Sequence, residues 1–109
     1  AVLLNRTGRQ VEAEPMYRES LRIMRKLRGD AHPDVATAMT NLAGLLVKLE
    51  DYDEAESLHL EALEIRRSVF GAKHKETAKS YRLLAEFYEG RNRPDSAVEF
   101  RQLLADLAG

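Results

Sequence analysis

Shifted against itself by 42 positions, the sequence aligns without a gap. His32 meets His74, Gly29 meets Gly71 and Ala36 meets Ala78; Leu42-Ala43 meets Leu84-Ala85, and Ala13, Ala55 and Ala97 coincide. Leu21 and Ile23 fall on Leu63 and Ile65. A fixed period of about 20–50 residues is the mark of a repeat architecture, in which one unit cannot bury its apolar face alone and neighbours stack to do so. The 109 residues read as one array. It holds a truncated unit (1–31), a complete unit (32–73) and a degenerate last unit (74–109). The opening Ala1-Val2-Leu3-Leu4 looks like mid-helix, so the chain is expected to be a fragment cut on its N-terminal side.

Inside each unit the apolar spacing is helical. Val35, Met39, Leu42, Leu46 and Leu49 recur at steps of three and four, which puts them on one helix face. Tyr52, Ala55, Leu58, Ala62, Ile65 and Val69 form a second stripe. The last unit repeats both with Ala78, Tyr81, Ala85 and Tyr88, then Ala97, Phe100, Leu104 and Leu107. No stretch alternates with a period of two, so no strand is expected. The alanines at 43, 55 and 62, and at 85 and 97, are small where two helix backbones must approach closely.

Turn chemistry marks the ends. Pro33 and Pro94 suit a first helical position, where the missing N–H costs nothing. Asp34 and Glu76 place negative charge at helix starts. Asp51 with Glu54 reads as a capping box. Gly29 and Gly71 close the second helices. Pro15 lies inside a helix, where a slight bend is expected. The fold class is all-α: paired antiparallel helices, A then B, about two and a half times over.

Composition narrows function mostly by exclusion. Apolar residues make up 44% and charged residues 32%, which fits a well-folded, helix-rich chain. The net charge of −1 offers no long-range attraction for nucleic acid or an anionic membrane. With no cysteine, disulfides, thiolate metal sites and cysteine nucleophiles are excluded. No apolar run approaches the ~20 residues of a membrane helix, and no signal peptide is visible. A cytoplasmic chain is expected, with neither nucleic acid nor membrane as partner.

The run His32-Pro33-Asp34-Val35-Ala36, then Asn41-Leu42-Ala43, Tyr52-Asp53-Glu54-Ala55-Glu56 and Ala62-Leu63-Glu64-Ile65-Arg66, resembles the 42-residue tetratricopeptide repeat of kinesin light chains. The resemblance covers essentially the whole chain. It implies a right-handed α–α superhelix of helical hairpins, and it is far less specific for function. Glu50 and Asn92 stand where the family's turn glycine is usual; Gly8 keeps it. Lys75, Leu83 and Pro94 also depart from the pattern, as a terminal capping repeat would.

The resemblance further implies that partners, usually extended peptides, lie along a concave surface lined by the A helices. The matching positions are Val2, Asn5 and Arg6 in the stump; Thr37, Thr40, Asn41, Gly44, Val47 and Lys48 in the complete unit; and Lys79, Arg82, Leu83, Glu86 and Glu89 in the last. Asn41 is the best single candidate, because its amide donates and accepts at once and can hold a peptide backbone extended. Arg6, Lys48, Lys79 and Arg82 would give a basic wall suited to an acidic peptide or a free C-terminus. Glu86 and Glu89 stand nearby, so solvated surface charge is an equal reading.

The remaining clusters carry no chemistry. His32 and His74 recur with the repeat and read as loop packing; His59 has no clustered partners, and no zinc ligand set is present. No phosphate loop or nucleophile elbow appears. Helix capping explains the acidic run 50–54. Arg18, Arg22, Arg25, Lys26 and Arg28 form a basic stripe that reads as a solvated convex face, given Glu14 and Glu19 beside it. No cofactor or metal is expected, and the segment is not read as an enzyme. The leading function is a protein-binding scaffold. The alternatives are a spacer or self-associating segment with contacts at the array ends, or a regulatory appendage of a larger signalling enzyme.

Overall fold

The computed structural model describes residues 8–108, with side chains from 11 to 107. It holds five α-helices and, among the described residues, no strand: α1 (Gly8–Arg28), α2 (Pro33–Lys48), α3 (Tyr52–Phe70), α4 (Lys75–Gly90) and α5 (Pro94–Ala108). Backbone contacts join each helix to the next in sequence, giving a slab with extents of 45 × 36 × 17 Å. In repeat terms α2 and α4 are A helices, and α1, α3 and α5 are B helices.

The apolar stripes are what hold the hairpins together. One cluster joins α1, α2 and α3 through Leu21, Val35, Met39, Leu42, Leu46, Leu58 and Ile65. A second joins α3, α4 and α5 through Leu63, Tyr81, Leu84, Tyr88, Ala97 and Phe100, and Phe87 packs against both. Ala43, Ala55, Ala62 and Ala85 lose all solvent contact within these clusters. Val69 leaves its predicted stripe: in the last turn of α3 it is exposed, beyond the reach of the covering helices.

Helix ends depart from expectation in three places. His32 and His74 are N-caps, their Nδ1 atoms accepting the N–H of Asp34 and Glu76 at 3.0 Å each. Loop packing is thus only part of their role, and the His74 ring also stacks on Phe70 at 4.6 Å. Asp51 makes no side-chain cap bond to α3. Its capping-box partner Glu54 is taken instead by Arg18 of α1, whose guanidinium donates to both carboxylate oxygens at 2.7 and 2.8 Å. A bidentate charged pair outcompetes a single cap bond.

The turn positions follow glycine logic without glycine. Glu50 and Asn92 both adopt left-handed backbone, φ 66° and 59°. Asparagine tolerates this region well, whereas glutamate strains it. Gly71, at φ 93° and ψ 160°, occupies a region reserved almost wholly for glycine, and the helix stops there. Pro15 lies inside α1, which continues through it.

Candidate partner-binding groove

Burying one stripe of α2 leaves the opposite one in solvent. Val35, Met39, Leu42 and Leu46 point inward, so Thr37, Asn41, Gly44 and Lys48 project outward, with Thr40 and Val47 half-buried at the edge. The same register on α4 exposes Lys79, Arg82, Glu86 and Glu89, with Leu83 half-buried. Every described position of the expected groove therefore reaches the surface of an A helix. Val2, Asn5 and Arg6 lie outside the described residues.

Their chemistry is uneven. The Thr37 and Thr40 hydroxyls donate to the carbonyls of Pro33 and Thr37 at 3.3 and 3.0 Å, which turns them onto their own helix. The Asn41 amide makes no hydrogen bond among the described residues. Lys48 and Arg82 have no ion-pair partner among them either. Lys79 pairs with Glu76 at 3.2 Å. Glu89 is drawn toward α5 by Arg101, which donates to both its oxygens at 3.0 and 2.8 Å. That contact holds the Glu89 carboxyl below its usual range and takes one acid away from the basic positions.

Gly44 is unusual for this setting. Glycine inside an exposed helix forgoes ~1 kcal/mol relative to alanine. A Cβ at Gly44 would meet nothing within 4 Å, so no contact among the described residues requires the absence of a Cβ there.

The structure does not gather all the candidates into one cavity. Thr37 and Asn41 line an open groove of about 370 Å³ together with Asp34 and Ala38 of α2 and Tyr17, Ser20 and Met24 of α1. Lys79, Arg82 and Glu86 stand on the separate surface of α4. The contribution of α1 was missed in the sequence. Its signal is the repeat register, since Tyr17, Ser20 and Met24 precede the buried His59, Ala62 and Arg66 by one unit.

Those two buried polar residues were also missed. His59, with no clustered ligands but buried on α3, lies 5.8 Å from the Phe87 ring, and its Nδ1 has no hydrogen-bond partner. Burial, helped by the charge of Arg66, pushes its pKa down to about 4. Arg66 donates to Ser80 Oγ at 2.8 Å, and burial lowers its pKa too. Thr77 completes the joint, donating to Gly71 O at 2.7 Å. These groups fasten α3 to α4 and do not open onto the groove.

The basic stripe of α1 is largely neutralised. Arg18 meets Glu14 and Glu54, Arg22 meets Glu19, Arg25 faces Asp30 and Glu61, and Arg28 faces Asp34. Burial and a 2.6 Å bond to Glu56 raise the Tyr88 hydroxyl pKa, so this phenol is a packing group. Among the described residues no group of three or more His, Cys, Asp or Glu side chains is placed to hold a metal. None of the described helices is long and apolar enough to cross a membrane.

The tetratricopeptide repeat model matches residues 1–67 and again 34–102, with the two matches overlapping on the complete unit. The chain belongs to the tetratricopeptide repeat family. The family signature thus extends along nearly the whole array. Among solved structures the chain is similar to the crystal structure of BtubC (BKLC) from P. vanneervenii, with a TM-score of 0.84 and 26% identity over 92% of this chain. It spans 39% of that chain. No curated protein matches it. Helices, hairpin order and superhelical stacking therefore agree between sequence, structure and relatives.

Proposed function

We propose that this tetratricopeptide array is a cytoplasmic protein-interaction scaffold, without catalytic activity, that holds an extended partner segment along the exposed faces of α2 and α4. Repeats of this family generally mediate protein–protein contacts, which is the coarse level on which the reading stands. The observation that carries the finer level is the pairing of Gly44 with Asn41. Gly44 gives up helix stability where a Cβ would meet nothing among the described residues, which leaves room for a partner backbone, and the Asn41 amide one turn earlier, without a bond among those residues, supplies a donor and an acceptor for it. Lys48 and Arg82, free of ion pairs among the described residues, favour an acidic segment, and Arg101 removes Glu89 from competition.

The test uses a random-peptide library displayed on phage and selected on the wild-type chain. The selected peptides are expected to be extended and rich in Asp and Glu. Changing Asn41→Ala together with Arg82→Glu should weaken them about 100-fold, from about 1 kcal/mol for the amide and about 2 for the charged contact. Both positions are exposed, so the melting temperature should hold within a few degrees. Peptides that bind the double variant as well as the wild type would remove the groove from the account.

A further inference from the structure

The apolar core is divided at one joint. Among the described residues Leu63 is the one α3 residue in the cluster of α4 and α5, and Phe87 is the one α4 residue that packs on the cluster of α1, α2 and α3. In backbone contact, too, α3–α4 is the smallest of the four joints between successive helices.

What fills this joint is polar. Where the α3–α4 joint has His59, Arg66, Thr77 and Ser80, the α1–α2 joint has Tyr17, Met24, Val35 and Ala38 at the same repeat positions. The four polar residues are 5%, 4%, 0% and 1% exposed. Arg66 donates to Ser80 Oγ at 2.8 Å, a neutral partner, while Glu76, the acid that bears on it, bridges Lys79 at 3.2 Å instead. His59 Nδ1 has no partner among the described residues. A buried cation without a direct counter-ion, and a buried nitrogen without a bond, both regain water when a joint opens, whereas apolar groups only lose by it. Cheap opening therefore falls where the core is already divided. We infer that the α3–α4 joint is a hinge, at which the α4–α5 hairpin swings off α3 as a body while α1, α2 and α3 stay packed. The exposed faces of α2 and α4 lie on opposite sides of it, so opening changes their spacing. The hinge itself does not depend on what those faces hold.

The chain has no cysteine, so a single introduced thiol reports opening through its rate of labelling by a thiol reagent. Ser80→Cys, a near-isosteric change, places the thiol in this joint, and Val35→Cys places one in the α1–α2 joint at 0% exposure. In native buffer Ser80→Cys should label at least about tenfold faster than Val35→Cys, and faster than its own global unfolding, measured in urea, allows. Adding Arg66→Met and Thr77→Val gives the joint the residue types found one repeat earlier, and should slow the labelling of Ser80→Cys at least about tenfold. Circular dichroism would show whether each variant keeps its helices. Equal labelling at the two joints overturns the inference, as does labelling of Ser80→Cys at the global unfolding rate. So does a rate that the two apolar changes leave unmoved, or a chain that they unfold, since the polar groups would then be what keeps the joint closed.

Discussion

Tyr81→Ala is expected to cost about 3–5 kcal/mol, as large aromatic-to-alanine changes in a core do. Tyr81 is 2% exposed, stacks on Phe100 at 6.2 Å and belongs to the cluster that joins α3 to the α4–α5 hairpin. Whole domains of this size are stable by only about 5–15 kcal/mol, so the melting temperature should fall by roughly 15 °C or more. In a stacked array stability is the sum of unit and nearest-neighbour terms, so α4 and α5 should melt ahead of α2 and α3. Tyr81→Phe is the control. It keeps the ring and loses only the hydroxyl donation to Ala72 O at 3.0 Å, worth about 1 kcal/mol. Thermal and urea unfolding followed by circular dichroism would separate the two; a Tyr81→Ala loss no greater than that of Tyr81→Phe would contradict the packing described for this joint.

The second large effect is acid sensitivity centred on His59. Its pKa falls from an ordinary 6.5 to about 4 in the fold, because burial and the Arg66 charge both oppose protonation. The unfolded chain therefore takes up a proton first. The stability owed to neutral His59 is complete above pH ~6.5, is lost as pH falls from there toward 4, and declines no further below that. At about 1.4 kcal/mol per unit the loss is about 3 kcal/mol. Glu54 and Glu76 are held below their usual range by Arg18 and Lys79, so their losses belong to more acid solution. Urea midpoints between pH 7 and pH 4 should slope for the wild type and flatten for His59→Leu. An unchanged slope in that variant would place the sensitivity elsewhere.

Much of the fold was legible because the repeat fixes both period and phase. Val35, Met39, Leu42 and Leu46 could be set on one face from spacing alone, and Pro33, Pro94, Gly29 and Gly71 bracket helices that begin and end beside them. What stayed hidden depended on partners far along the chain. Asp51 and Glu54 satisfy the local rule for a capping box, but Arg18, 36 residues earlier, claims the glutamate. Arg66 reads as a surface charge until α4 packs against α3 and Ser80 meets its guanidinium. His59 likewise has no neighbours of its own kind in sequence, and its burial comes from the stacking of units. The groove residues were legible as a face of α2 and of α4. Their inequality was not, since the Thr37 and Thr40 hydroxyls are spent on carbonyls of their own helix and Glu89 turns toward Arg101.

Nitrogen-15 NMR shift mapping of the chain with a library-selected peptide bears most directly on whether the A helices hold the partner. Perturbations should concentrate at Thr37, Thr40, Asn41, Gly44 and Lys48 of α2 and at Lys79, Arg82 and Glu86 of α4. Shifts confined to α3 and α5, with those eight positions unmoved, would contradict it.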